Sequence, residues 1–334
     1  MLELIDGRAQ LAPVHIPRPT SPAGAPEYLD IARSIVEDVR ARGDAALLDH
    51  TERLDGVRLA PGELRVEPET IRQALRSVRP ELVAALKFLA ARVRASCERQ
   101  APEEWLDESP DELIGELIRP LRRAGIYAPG GRAPYPSSVI MAAVPAQVVG
   151  VGGLAVASPP RRGGDIAEVV LAACAVAGVD EVYRMGGAQA IAAFAYGTES
   201  VRPVEKIVGP GNVFVTMAKR LVQGWVGIDS EAGPTEIAIV ADAGADPAIL
   251  AADLVAQAEH GPHGSHVLIT WVPELVDAVI AALESQVYSH ARPDDLENAL
   301  IEGGAAVLVR DLTHALDTAN AFAPEHLQLD FDGA

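Results

Sequence analysis

From Arg123 onward, short β-branched runs alternate with alanine-rich runs of helical length, and this alternation is the strongest constraint the chain carries. The runs AGIYAP, GLAVAS, DEVYRM and VEKIVG read as strands, and SSVIMAAVPAQVV, AEVVLAACAVAG, AQAIAAFAYGT and NVFVTMAKRLVQG as the helices between them. Parallel strands joined by crossover helices are buried on both faces, so the pattern predicts an α/β layer fold. After Asp229 it resumes with TEIAIVAD, a helix over 247–260, SHVLITW, a helix near 274–287, AAVLVR, a helix near 312–321, and the strand HLQLD. Upstream, residues 28–100 carry apolar positions at helical spacing and predict two or three packed, solvent-facing helices. WLDESPDELIGELIRPL is acidic and turn-rich before it becomes strand-like, which puts a boundary near residue 122. The fold class expected is therefore α/β: two Rossmann-like parallel-sheet domains flanked by helices, with an N-terminal helical segment.

Composition narrows the partners. A formal net charge of −19 with no basic run opposes nucleic acid and anionic membrane surfaces. At 334 residues and 49% hydrophobic content the chain can bury its core without disulfides, and Cys97 and Cys174 lack CxxC spacing, so both are expected as buried thiols in a reducing cytoplasm. The N-terminus has no continuous apolar stretch of the signal-peptide kind. Residues 139–157 approach membrane-spanning length, but Pro145, Gln147 and three glycines interrupt them, predicting a buried helix followed by a buried strand.

Three strand-to-helix junctions are glycine-rich: IYAPGGRAP with Tyr127, Gly130 and Gly131, YRMGGAQAI with Gly186, Gly187 and Gln189, and IVGPGNVFV with Gly209, Gly211 and Asn212. None completes GxGxxG, since Phe214 stands where the last glycine of the third belongs. Any one of them serves as an ordinary turn. Together, at the strand ends of one α/β unit, they suit a ligand that needs close backbone approach and free helix N–H groups. Composition leaves a nucleotide, a dinucleotide or a sugar phosphate open.

The helix GADPAILAADLVAQAEHG has its own punctuation: Asp246 as N-cap, Pro247 in its first turn and Gly261 past its end. Leu250, Leu254 and Ala258 share the buried side, whereas Asp253, Gln257 and His260 share another. Gln257 and His260 could point at one ion, but on spacing alone a solvated polar face is the better explanation, and one imidazole plus one carboxamide is a thin ligand set. His263 and His266 follow in the loop-like HGPHGSH and need not converge with them. Near the end, FAPEHLQLD sets Glu325 beside His326 after Pro324. Neighbours in an extended strand point to opposite faces, so both reach one site only where the segment bends.

Taken in order, GIYAPGGRAPYPSSVIMAAVPAQVVGV, MGGAQAIAAFAYGTES, KIVGPGNVFVTMAKR, IDSEAGPTEIAIVAD, ADLVAQAEHGP and APEHL resemble the signature segments of the histidinol dehydrogenase family over roughly residues 25–330. The resemblance implies a zinc- and NAD-dependent homodimer oxidising L-histidinol to L-histidine through the aldehyde. It implies an arm over 1–26, a discontinuous substrate and zinc domain over 27–122 and 230–334, and an NAD domain over 123–229. Tyr127, Gln189 and Asn212 would contact NAD. Gln257 and His260 would bind Zn2+. Thr235 (serine in much of the family), Gln257, His260 and His326 would contact substrate, and Glu325 and His326 would be the acid-base pair. Relatives that oxidise small sulfonated diols, or a non-catalytic nucleotide-binding remnant, are the alternatives. The family pattern continues beyond LDFDGA with an aspartate zinc ligand, a substrate-contacting histidine and a tail histidine that completes the partner's zinc site. On Gln257 and His260 alone, weak zinc binding and a weakened dimer are expected.

Overall fold

The computed structural model describes residues 1–20, 25–130, 134–231 and 234–334; Gly131 of the first glycine turn lies outside them. The chain divides into two compact units, a central one over Ala25–Ala232 and a split one made of Met1–Gly24 and Gly233–Ala334. In chain order the elements begin with β1 (Glu3–Asp6), α1 (Pro26–Arg42), α2 (Asp44–Asp55), α3 (Pro68–Ser77), α4 (Pro80–Glu98) and a hairpin of β2 (Trp105–Glu108) and β3 (Leu113–Glu116). They continue with β4 (Ala124–Tyr127), α5 (Pro136–Val148), β5 (Leu154–Ser158), α6 (Glu168–Val176), β6 (Val182–Arg184), α7 (Gly187–Tyr196), β7 (Lys206–Val208), α8 (Val213–Val222) and β8 (Gly227–Ile228). The last part comprises β9 (Glu236–Ala241), α9 (Pro247–Ala258), β10 (Ser265–Thr270), α10 (Pro273–Ser289), α11 (Pro293–Gly303), β11 (Gly304–Leu308), α12 (Leu312–Phe322) and β12 (His326–Asp330).

The central unit holds a parallel sheet ordered β6-β5-β4-β7-β8. Strand order reverses between β4 and β7, the arrangement that opens a crevice at the strands' carboxyl ends. The upstream helices belong to this unit. Ile71 and Ala74 of α3 and Leu86 and Val93 of α4 form one core with Val139, Ile140 and Val144 of α5 and Val170 and Leu171 of α6. On its edge, the Val66 N–H donates to the Val182 carbonyl and the Arg184 N–H to the Leu64 carbonyl, both at 2.8 Å. The division thus differs from the sequence reading, which joined 27–122 to 230–334. The alanine-rich helices α5 and α6 are small, and the apolar stripes of α3 and α4 are what bury them. Four helices, rather than two or three, make up that segment.

The split unit is built on a parallel sheet ordered β1-β11-β10-β9-β12. Side chains alternate by two along each strand. Ile237, Ile239 and Leu268 therefore enter one core with Leu250 and Leu254 of α9 and Val279 and Leu283 of α10. Ala238, Val240, Val267 and Ile269 enter the other with Val14, Ile16, Ala315, Ala319 and Phe322. The N-terminal arm is more than an arm, since β1 pairs with β11 and the segment behind it fills the second core. Residues 139–157 resolve into α5 and β5, and no described helix is long and apolar enough to cross a membrane.

Candidate functional site

The three glycine turns of the central unit come together at the carboxyl edge of its sheet. Tyr127 ends β4, Gly187 opens α7 and Gly209 follows β7. The Tyr127 hydroxyl is buried and accepts the Gly187 N–H at 3.1 Å; burial pushes its pKa up to about 12. Gly209 has φ +114, and a Cβ there would stand 2.1 Å from the Tyr127 carbonyl oxygen, so only glycine lets β4 and β7 approach this closely. Its N–H donates to Asp229 at 2.8 Å, and Lys219 ties its carbonyl (2.6 Å) to the same carboxylate (2.5 Å). Asn212 caps α8, its Oδ1 accepting from the N–H groups of Phe214 at 3.1 Å and Val215 at 3.2 Å. Asn212 therefore has Nδ2 rather than Oδ1 to offer another partner.

Gln189 is fully buried, donates from Nε2 to Asp55 at 3.3 Å, and leaves Oε1 without a partner, as is the buried Ser158 Oγ. Orphaned acceptors at a strand edge are what a hydrogen-bonding ligand would satisfy. Asp55 had no motif to announce it, because it arrives from the end of α2, 134 residues before Gln189. Burial raises its pKa from 3.8 to about 6. Because the folded-state value is raised, protonated Asp55 favours the fold, and that contribution is lost as pH rises from about 4 through about 6. Asp55→Asn is expected to stabilise the protein at pH 8 by about 1–2 kcal/mol, solvent screening part of the cost of the buried charge, and to leave it unchanged near pH 3.5. Urea unfolding at both pH values checks this.

In the split unit the motif residues gather at the opposite end of the strands. Thr235 immediately precedes β9, His326 opens β12, and Gln257 and His260 stand at the carboxyl end of α9. A cavity at the other edge, lined by Asp242, Trp271, Asp330 and Phe331 among others, contains none of them. Gln257 is buried and donates from Nε2 to Thr235 Oγ1 at 2.5 Å. This bond fixes the amide so that Oε1, the atom a metal ion would take, is left for a ligand. The helix end also carries partial negative charge, which favours a cation. His260 is exposed beside it. Among the described residues no group of three or more His, Cys, Asp or Glu side chains is arranged to hold a metal ion.

Glu325 and His326 do share a locality. Ala323 closes α12 at φ 49 and ψ 64, a left-handed conformation costly for alanine, and the chain turns there before Pro324. Arg18 holds the turn: it bonds the Phe322 carbonyl, lies 4.1 Å above the Phe322 ring and pairs with Glu236 at 2.7 Å. Glu325 Oε2 accepts the Glu236 N–H at 3.3 Å and lies 3.8 Å from His326 Nε2. Both side chains are about half exposed, 54% and 55%, and so open to solvent. The segment HGPHGSH is not all loop. His263 is exposed, but His266 is the second residue of β10 and is fully buried.

Cys174 is buried in α6 with its pKa pushed up to about 12, and Cys97 lies on α4 of the helical segment.

A family model described as histidinol dehydrogenase matches residues 20–334. The histidinol dehydrogenase of Moorella thermoacetica is 47% identical over 298 residues, covering 89% of this chain and 70% of that protein. That of Bifidobacterium longum is 43% identical over 346 aligned positions, covering 98% and 73%. The crystal structure of histidinol dehydrogenase from Elizabethkingia anophelis superposes with a TM-score of 0.88 at 30% identity, over 99% of this chain and 76% of that one. The match takes in both units and every motif described above: the chain belongs to the histidinol dehydrogenase family.

Proposed function

We propose that this chain oxidises L-histidinol to L-histidine through L-histidinaldehyde, the last steps of histidine biosynthesis, with NAD and Zn2+ as cofactors. One observation carries the reading. The acid-base candidates and the metal-ligand candidates stand on one connected path, from His326 to Glu325, from Glu325 to the Glu236 N–H, and from the adjoining Thr235 hydroxyl to Gln257. When bound, NAD would supply the hydride acceptor, and zinc a fixed anchor for the imidazole and amine of histidinol. Gln257 through Oε1 and His260 through a ring nitrogen would be two donors to the metal, short of the about four that zinc takes. NAD would lie against Tyr127, Gln189 and Asn212, where orphaned polar atoms and the Gly209 turn suit it.

The residues then act in sequence. Thr235 orients the Gln257 amide and offers its hydroxyl to substrate. His326 takes the hydroxyl proton of the alcohol as hydride departs from the same carbon. Glu325 takes a proton from water as the water oxygen adds to the aldehyde carbon, His326 returns its proton to the former carbonyl oxygen, and His326, neutral again, takes a hydroxyl proton of the resulting diol as the second hydride leaves to NAD. With Cys174 protonated and buried, hydration rather than a thiohemiacetal carries the aldehyde forward.

The same reading makes the protein a cytoplasmic homodimer. Two free thiols suit a reducing compartment. The isolated hairpin β2-β3, marginal by itself, exposes Trp105, Leu106, Leu113 and Ile114 as a surface for a second copy. The test is NADH formation with histidinol, with and without added zinc, on protein whose mass in solution is measured by sedimentation. Two NADH per histidinol and twice the chain mass are expected. Turnover of a sulfonated diol instead would replace the substrate, and NAD binding without turnover of either would overturn the enzyme reading.

A further inference from the structure

We propose that Asp55 accepts a hydroxyl of the adenosine ribose when a dinucleotide binds the central unit, and that its carboxylate repels the 2′-phosphorylated form, so that it selects NAD over NADP. This rests on the NAD reading above and names the residue that sets cofactor choice.

Topology is the first support. The order β6-β5-β4-β7-β8 is that of a dinucleotide-binding sheet with β4 as its first strand and β5 as its second. In such a sheet an acidic residue at the end of the second strand holds the adenosine ribose. Here β5 ends in Ser158, followed by Pro159 and Pro160, so the acid is missing from its usual place. The fold brings one from elsewhere. Asp55 ends α2, and a Cβ on Gly186 would stand 2.6 Å from Pro159 Cβ and 3.3 Å from Asp55 Oδ1. The carboxylate therefore lies beside the residue that follows β5 and the turn that follows β6.

The second support is a set of polar atoms left open. Ser158 and Gln189 are 1% and 0% exposed, yet Ser158 Oγ and Gln189 Oε1 have no hydrogen-bond partner. Both face glycines of the turns. A Cβ on Gly130 would stand 3.2 Å from Ser158 Oγ, and one on Gly187 would stand 2.6 Å from Gln189 Oε1. Asp55 Oδ2 accepts from Gln189 Nε2 at 3.3 Å, and among the described residues no hydrogen bond engages Oδ1. A carboxylate oxygen, a hydroxyl and a carboxamide oxygen held open together are what the vicinal hydroxyls of a ribose would satisfy.

Charge decides between the two dinucleotides. Among the described residues no cation pairs with Asp55, and burial alone raises its pKa to about 6, so above that pH an unneutralised negative charge stands at the ribose position. A ribose hydroxyl donates to it, whereas a phosphate carrying about −1.5 to −2 is repelled. Arg161 and Arg162, just past Pro160, are the competing cations. Both are exposed, and solvent screening weakens their pull relative to that of a partly buried carboxylate.

The experiment uses the full chain at pH 8. Fluorescence titration measures binding of NADH, NADPH and the NADH analogue that lacks the adenosine 2′-hydroxyl. The wild type should prefer NADH over NADPH by about 100-fold and over the deoxy analogue by about 10-fold. Asp55→Asn, which keeps an acceptor for Gln189, and Asp55→Ser should each lower the NADH-to-NADPH affinity ratio by at least about 10-fold. Each ratio is taken on one preparation, so partial unfolding does not move it, and circular dichroism confirms the fold. The deoxy analogue tests the wild type without any substitution. An unchanged ratio in both variants, or equal wild-type affinity for NADH and the deoxy analogue, would overturn the role of Asp55 while leaving the dinucleotide reading intact. So would a wild type that prefers NADPH, which would assign the phosphate to Arg161 and Arg162. A wild type that binds none of the three would overturn both.

Discussion

Replacing His326 by alanine is expected to lower kcat for histidinol oxidation by about 10²–10⁴-fold while changing KM little, the range for loss of a positioned proton acceptor. The reason is the arrangement at the start of β12. The half-exposed imidazole has its edge 3.8 Å from Glu325. Its strand is locked in register against β9. His326 is asked to take a proton in both oxidations, so its loss slows the first and second NADH alike. Glu325→Gln should behave differently. Glutamine keeps an acceptor for the Glu236 N–H but cannot take a proton from water. The first hydride transfer should survive and hydration should slow, so that rapid mixing shows a burst of about one NADH per site followed by a slow second phase. Trapping the accumulated aldehyde with a hydrazine reagent checks it. If His326→Ala retains full turnover, or if Glu325→Gln slows both phases equally, the division of labour between the two residues is wrong.

The sequence carried the fold in its alternation of β-branched and alanine-rich runs because each parallel strand is buried on both faces and each helix on one, a pattern composition cannot disguise. The helix over residues 247–258 was fully legible. Asp246 accepts the Ala248 N–H at 2.9 Å, Pro247 lies in the first turn, and Gly261 adopts φ +110. What stayed hidden was held by long-range contact. Strand β1 has only four residues and is defined by its pairing with β11, some 300 residues away. The allegiance of α3 and α4 to the central sheet depends on which small side chains they cover, and no local signal records that. The same holds for the site. Glycine turns and the Glu325-His326 pair are local words, whereas Asp55, Arg18 and the burial of His266 become visible only when distant segments meet. The general preference for carboxyl strand ends also pointed to one sheet edge only. In the split unit the motif residues stand at the amino ends, because α9 returns there and brings Gln257 and His260 with it.

Glu181→Gln is expected to destabilise the fold by about 3–5 kcal/mol, the usual result of removing one partner of a buried ion pair. Arg123 immediately precedes β4 and Glu181 immediately precedes β6, so their side chains bridge the amino edge of the central sheet across β5. The guanidinium meets the carboxylate through two bonds of 2.5 and 2.6 Å, the Tyr183 hydroxyl donates a third at 2.6 Å, and both charged residues are less than 10% exposed. Glutamine fills the same space but leaves the Arg123 charge buried without its counter-ion. A double variant, Arg123→Met with Glu181→Leu, should recover most of the loss, because well-packed apolar residues avoid the desolvation that the pair must overcome. The wild type should also show the pair in its acid limb. Burial alone would raise the Glu181 pKa, but the Arg123 and Tyr183 bonds outweigh it and hold the value at about 2. Because the folded-state pKa is depressed, the stabilisation is complete above the ordinary glutamate value of about 4.3 and declines as pH falls toward 2. Glu181→Gln should lack that part of the decline. Urea unfolding of the wild type, the single variant and the double variant at pH 7 and pH 3 measures each of these, and equal stability of the wild type and Glu181→Gln at pH 7 would show that the buried pair adds nothing to the sheet.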